Sequence, residues 1–287
     1  MRRYLDISVI SSVSKNVIIM KIILATDFSK ENQMLVPYAL DLLKFTGGNI
    51  VLFHAYMDHF EVIDAKTQAE QSMKESVDFL NGEIAKLGLT NIEITPMLVD
   101  GFPEEELLRL THDTKPDLVL MGTRGRGRKG FLEGSLTKSL MSRSPVPMLT
   151  IHEEYQYKPN NEVLYVTNFD RSDASSIAKI FDILKPYQLH LHVVSFVMDG
   201  DPAKSARQMK ELEETLKYMN LNGEICYKLV YNSTPRDAMK AYCLDNGISL
   251  AAFIPHHKHL YHLFFKDKVT KNDFFDLHIP LLVLPKA

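Results

Sequence analysis

The sequence contains no tryptophan, two cysteines, and no uninterrupted apolar run near the ~18 residues that a membrane-spanning helix needs. Cys226 and Cys243 fit no metal-ligand spacing, and a single pair makes no disulfide framework. A reducing compartment follows, and the expected location is cytoplasmic. Charge of neither sign dominates. The 33 Lys and Arg face 36 Asp and Glu, for a net charge of −3, which argues against a surface built throughout for nucleic acid. At 45% hydrophobic and 24% charged residues, the chain is not a disordered one. The opening MRRYLDISVISSVSKNVIIM has two arginines, but Asp6 and Lys15 interrupt its apolar part and no small-residue cleavage site follows. Residues 1–19 read either as a weak targeting segment or, more simply, as a poorly ordered extension before a working start at Met20.

What is present is a repeated α/β pattern. The 287 residues suit two domains. KIILATD (21–27) is an apolar, β-branched run, and Ser29 to Phe45 has helical spacing, with Met34, Leu35, Tyr38, Ala39, Leu42 and Leu43 on one face. Gly47-Gly48 ends that helix. Strands are expected at 49–56, 91–100, 117–122 and 145–151, and helices at 65–87, 103–112 and 134–143. Pro103 and the three acids after it are a helix start, with negative charge at the positive end of the dipole, and not a catalytic dyad. Strands separated by helices imply right-handed crossovers and a mainly parallel, doubly wound sheet with helices on both faces.

The second half repeats this order. EVLYVTNFD (162–170) matches KIILATDFS at an offset of 141 residues, which places Asn168 where Asp27 stands. Further strands are expected at 189–197, 224–232, 249–255 and 279–285, and helices at 201–220 and 234–247. The reading is two tandem five-stranded units, 20–152 and 162–287, joined by a polar linker at 153–161. The closing strands PVPMLTI and IPLLVLP are apolar edges that invite pairing with each other.

The chemistry concentrates after the fourth strand. Gly122, Gly125, Gly127, Gly130 and Gly134 lie between a strand and a helix, interleaved with Arg124, Arg126, Arg128 and Lys129. Glycines let a ligand approach the main chain, a helix start offers free N–H groups, and four cations suit phosphate. GRGRKG satisfies G-x-G-x-x-G literally, but a dinucleotide fingerprint belongs at the first strand-to-helix turn with an acid about 20 residues on, and this one sits elsewhere. The Walker pattern fails because Arg128-Lys129 stands where Lys-Ser/Thr is needed. A basic patch without neighbouring aromatics is a weak nucleic-acid signal. His256, His257, His259 and His262 could share a metal, but a solvated or aromatic-packed loop is the simpler account. His54, at a strand end, reads as a packed histidine rather than a base.

Asp27 closing the first strand, Gly122-Thr123-Arg124-Gly125 as G-x-x-G, Gly134-Ser135 as G-S, and Pro145-Val146-Pro147 before the last strand together resemble the universal stress protein family in its tandem, UspA-like form. The resemblance covers nearly all of 20–151 and, more weakly, 162–287. The spacer from Arg126 to Glu133 is one residue shorter than the family's. The resemblance implies the fold of the adenine nucleotide alpha hydrolase group and a regulatory, stress-response role. It implies ATP or another adenine nucleotide as ligand, with adenine and ribose near Thr26, Asp27 and Met121-Gly122 and Val51 lining the adenine side. Phosphates would lie along Gly122, Gly125, Gly134, Ser135 and the amide of Leu136, with Mg²⁺ held by phosphates and Ser135. It also implies pairing of the two halves as a pseudo-dimer, with a homodimer as a further option. Asn168, Pro255 and Asp267-Lys268 replace the corresponding groups in the second half, so that half reads as non-binding. No Ser-His-Asp set or acid/base pair is legible, so slow ATP hydrolysis is the most catalysis expected. The alternatives are a structural, partner-binding protein and an adenylyl-transferring enzyme, and ATDFSKEN lacks the first-strand motif the latter requires.

Overall fold

The computed structural model describes residues 20–29, 31–57, 65–123, 135–152, 155–158, 161–197, 201–255 and 279–285. The first half runs β1 (Met20–Ala25), a 3-10 turn (Glu31–Met34), α1 (Leu35–Leu43), β2 (Gly48–Tyr56), α2 (Ala65–Lys86), β3 (Ile92–Asp100), α3 (Pro103–Thr114), β4 (Leu118–Gly122), α4 (Ser135–Arg143) and β5 (Met148–Ile151). The second runs β6 (Glu162–Val166), α5 (Asp173–Ile183), β7 (Leu189–Val197), α6 (Pro202–Lys217), β8 (Gly223–Tyr231), α7 (Pro235–Asp245), β9 (Leu250–Phe253) and β10 (Leu281–Val283).

The strands line up as β3-β2-β1-β4-β5-β10-β9-β6-β7-β8. Each half is a parallel five-stranded unit, and the two join edge to edge into one ten-stranded sheet. The join is the antiparallel ladder between β5 and β10, with Leu281 opposite Thr150, Leu282 opposite Leu149 and Val283 opposite Met148. Both edges are thereby covered, which removes two unpaired rows of backbone groups.

Alternation along each strand sends side chains to opposite faces. Ile22, Leu24, Ile50, Leu52, Leu118 and Leu120 pack against α1 and α2, in a core continuous with the α5 and α6 contacts of the second half. Ile23, Val51, Phe53, Val119 and Met121 face the other way, toward Leu107 and Leu110 of α3 and Leu140 of α4. Leu164, Val166 and Val194 do the same in the second half, toward Met239 and Cys243 of α7. The strands are buried on both faces, hence their apolar runs.

Two ties position the site. Glu104, in the first turn of α3, accepts hydrogen bonds from Ser139 Oγ and, at 2.7 Å, from Arg143 Nη1, clamping α4 to α3. The connector is held to α1: Tyr157 donates its hydroxyl to Asp41, and its ring meets that of Tyr38 edge-on at 4.7 Å.

Candidate functional site

β1 ends at Ala25, two residues before Asp27, because the chain turns there. Thr26 N–H donates to the Phe53 carbonyl at 2.9 Å, and its Oγ1 accepts from Phe28 N–H at 3.0 Å. Asp27 Oδ1 accepts from Ser29 N–H at 2.9 Å. Phe28 is left in the left-handed region, at φ 61°, where a bulky residue is a conformational outlier. His54 holds that turn. Its ring lies 4.2 Å from the Phe28 ring, and its Nδ1 lies 2.7 Å from the Thr26 carbonyl. A carbonyl only accepts, so Nδ1 carries the hydrogen. Burial lowers the His54 pKa below 6.5, against opposing pulls from the Thr26 bond and the Asp27 charge. His54 therefore shapes the turn from behind.

Beside this turn lies the end of β4. Ala25 pairs with Met121, and Gly122 pairs with Ile151. Thr123 N–H donates to the Ile151 carbonyl at 3.0 Å, while the Thr123 hydroxyl is buried without a hydrogen-bond partner among the described residues. Val51 pairs with Ile23 and belongs to the same apolar cluster as Ala25 and Met121. Strand order reverses between β1 and β4. The helices that follow these strands depart to opposite faces, which opens a crevice at the carboxyl edge. Thr26, Asp27, Met121 and Gly122 lie at that edge, whereas Val51 sits within the sheet, opposite Ile23 and two residues before the Ala25–Phe53 pair. Ser135 and Leu136 form the start of α4. Gly125 and Gly134, with Arg124 to Glu133, lie outside the described residues, as do His256 to His262 and Asp267-Lys268.

The second half keeps the turn and changes what surrounds it. Thr167 N–H donates to the Val194 carbonyl at 2.9 Å, Phe169 N–H donates to Thr167 Oγ1 at 2.9 Å, and Phe169 repeats the left-handed φ at 58°. Asn168 takes the position of Asp27, and the buried Pro255 that of Gly122. Asp173, which the sequence pattern did not single out, accepts from the Tyr165 hydroxyl at 2.7 Å, from Thr167 Oγ1, and from Asp170 N–H at 3.0 Å. Burial raises its carboxyl pKa, with the hydroxyl donors pulling the other way. An acid in the first turn of a helix was the available signal, but it also suits a solvent-facing dipole partner. Cys226 and Cys243 are free thiols, and burial pushes Cys243 up to about 12.

Residues 19–152 match the model of the universal stress protein family. The chain thus carries a universal stress protein domain in its first half. Universal stress protein MJ0577 of Methanocaldococcus jannaschii is 23% identical over 151 residues, covering 46% of this chain and 93% of the relative. A universal stress protein of Thermus aquaticus is 27% identical over 133 residues, covering 45% and 96%. Beyond the first half, the fold is that of the solved universal stress protein from Archaeoglobus fulgidus, with a TM-score of 0.64 at 15% identity over 93% of this chain and 96% of that one. Among the described residues no helix is long and apolar enough to cross a membrane, and no three His, Cys, Asp or Glu are grouped to hold a metal.

Proposed function

We propose that this chain binds ATP or another adenine nucleotide at the carboxyl edge of β1 and β4 in its first half, and acts in the cytoplasm as a regulatory stress protein. The observation that carries this reading is that, where strand order reverses, the Thr26-Asp27 turn lies beside Met121-Gly122, which is followed at the end of β4 by a buried Thr123 hydroxyl that has no partner among the described residues. These residues fit the group. Val51 and Met121 supply an apolar wall for a base, Asp27 a carboxylate for ribose hydroxyls or a base amine, and the start of α4 free N–H groups for phosphate. Gly125, Gly134 and Ser135 complete the phosphate path, and Ser135 with the phosphates would hold Mg²⁺. The chain is organised as two universal stress modules, 20–152 and 162–287, that pair as a pseudo-dimer through the β5–β10 ladder. The second module lacks the acid and the backbone donor and binds no nucleotide.

Mass spectrometry of small molecules released from native protein should yield an adenine nucleotide. Calorimetry with ATP should then give heat with wild type and none with Gly134→Val. Equal heats from both would displace the site, and no heat from either would leave the chain as a partner-binding protein.

A further inference from the structure

The opposite face of the same half contains a cavity of about 190 Å³, set between α1, α2 and the ends of β1 and β2. Leu24, Val36, Leu52 and Leu80 form its apolar side, and Thr26, Ser29, Ser72 and Ser76 its polar side, with Glu75 and Phe79 at the mouth. It lies on the α1–α2 face of the sheet, whereas the proposed nucleotide site lies at the carboxyl edge of β1 and β4, and the Thr26 turn borders both.

The second half shows what this space accommodates. Leu24 pairs with Leu52 across β1 and β2, and Tyr165 pairs with Val193 across β6 and β7. The repeat offset of 141 residues, from Leu24 to Tyr165, carries both members of the pair. The buried stripe of α2 (Ala69, Met73, Leu80) has its counterpart in that of α6 (Ser205, Met209, Leu216), which places Leu212 where the first half has Ser76. Two positions on the cavity wall thus hold larger side chains in the second half. Leu24 becomes Tyr165, whose ring is fully buried and whose hydroxyl is bonded to Asp173 at 2.7 Å, and Ser76 becomes Leu212, which packs on the same core. At Leu24 and Ser76 the second half thus sets larger side chains than the first, a phenol ring among them, while Leu52 is matched by the smaller Val193.

We infer that the cavity between α1, α2 and β1–β2 is a binding site for a small hydroxylated aromatic molecule, one phenol ring in size, which takes the place Tyr165 occupies in the other half. The ring lies against Leu24, Leu52 and Leu80, and the hydroxyl meets the Thr26 and Ser76 hydroxyls. The volume suffices, since a cavity of about 150 Å³ lined by aliphatic side chains admits benzene. The polar wall favours a hydroxylated ring over a bare hydrocarbon, because its hydroxyl replaces the water that those groups would otherwise bind. Glu75 at the mouth disfavours carboxylated rings.

The test uses the full-length protein and phenol as probe. Methyl-resolved NMR should show saturable shifts of the Leu52 and Leu80 methyls, with a dissociation constant of about 1 mM, the scale that ligand efficiency permits for so small a molecule. Leu24→Tyr installs the second half's own ring and should reduce the shifts at least about tenfold, which corresponds to the loss of the shared volume. Ser76→Leu, on a half-exposed helix face that tolerates substitution, should act in the same direction and stands if Leu24→Tyr does not fold. Methyls that stay unmoved at about 10 mM phenol, well above the expected constant, would overturn the inference. Equal shifts in wild type and in Ser76→Leu would do so too. Benzoate shifting the same methyls as strongly as phenol would refute the assigned ligand class. None of these readouts involves nucleotide, so failure here is distinct from failure of the nucleotide site.

Discussion

Tyr165 donates its hydroxyl to Asp173 across 2.7 Å, with both side chains buried in the core under β6. Tyr165→Phe removes a donor from a carboxylate that has little access to water. It should cost about 1–3 kcal/mol, the range for orphaning a buried polar group. Urea denaturation at neutral pH measures it.

Asp173 gives that region a pH signature of definite sign. Its folded pKa is raised above 3.8, chiefly by burial. The folded state therefore holds the proton more tightly than the unfolded chain, and this contribution is present at low pH and lost as pH rises through the folded value. Asp173→Asn does not titrate. The stability of the Asn variant relative to wild type should thus increase between about pH 3.5 and neutrality, as read by denaturant midpoints across that range.

His54 has the opposite sign. Its folded pKa lies below 6.5, again chiefly through burial. Its contribution is complete above the unfolded value and is lost as pH falls toward the folded one. His54→Gln should abolish this component. Wild type should lose more stability than the variant between about pH 8 and pH 5.

Gly48 occupies a position that admits no side chain. A Cβ there would lie 2.1 Å from the Met20 carbonyl oxygen and 2.7 Å from Leu43 Cδ2. Gly48→Ala should destabilise by roughly 1–3 kcal/mol, because backbone at the β1–β2 start must shift. Calorimetric melting would register the change. An unaltered melting temperature would mean that β1 and β2 begin further apart than described.

The seam between the halves rests on few residues. Leu282 is fully buried in β10 opposite Leu149. Leu282→Ala should cost about 2–5 kcal/mol and should lower protection of the Leu149 and Leu282 region in hydrogen exchange before it affects β2 or β7.

Much of this architecture is legible in the chain itself. β7 falls on 189–197 as its pattern predicts, and α2 and α6 begin within a residue of the expected starts. Departures have local causes. The helix expected from Ser29 opens as a 3-10 turn and becomes α only at Leu35. β5 begins at Met148 and not at Pro145, since Pro145 and Pro147 have no N–H to give a ladder. β6 stops at Val166 because Phe169 has left-handed backbone, which apolar periodicity does not encode. Thr26, Asp27, Val51, Met121 and Gly122 are proposed for the site from motif and family resemblance, and the meeting of the β1 and β4 ends was legible from strand order. The Thr123 hydroxyl and the Asp173 network were not, because a side chain's hydrogen-bond accounting depends on what packs over it. The open cavity is visible only when Leu24 is set against Tyr165 within the folded repeat.

The antiparallel ladder of β5 with β10 makes two partners out of one polypeptide. In a complex of identical copies, every substitution is made on both sides of the twofold at once. Here each side changes alone. One lobe can exchange glycine for Pro255 and leucine for Tyr165 while the other retains Gly122 and Leu24, because neither has to serve as its own mirror. Covalent linkage thereby leaves each lobe free to change its side chains independently of the other.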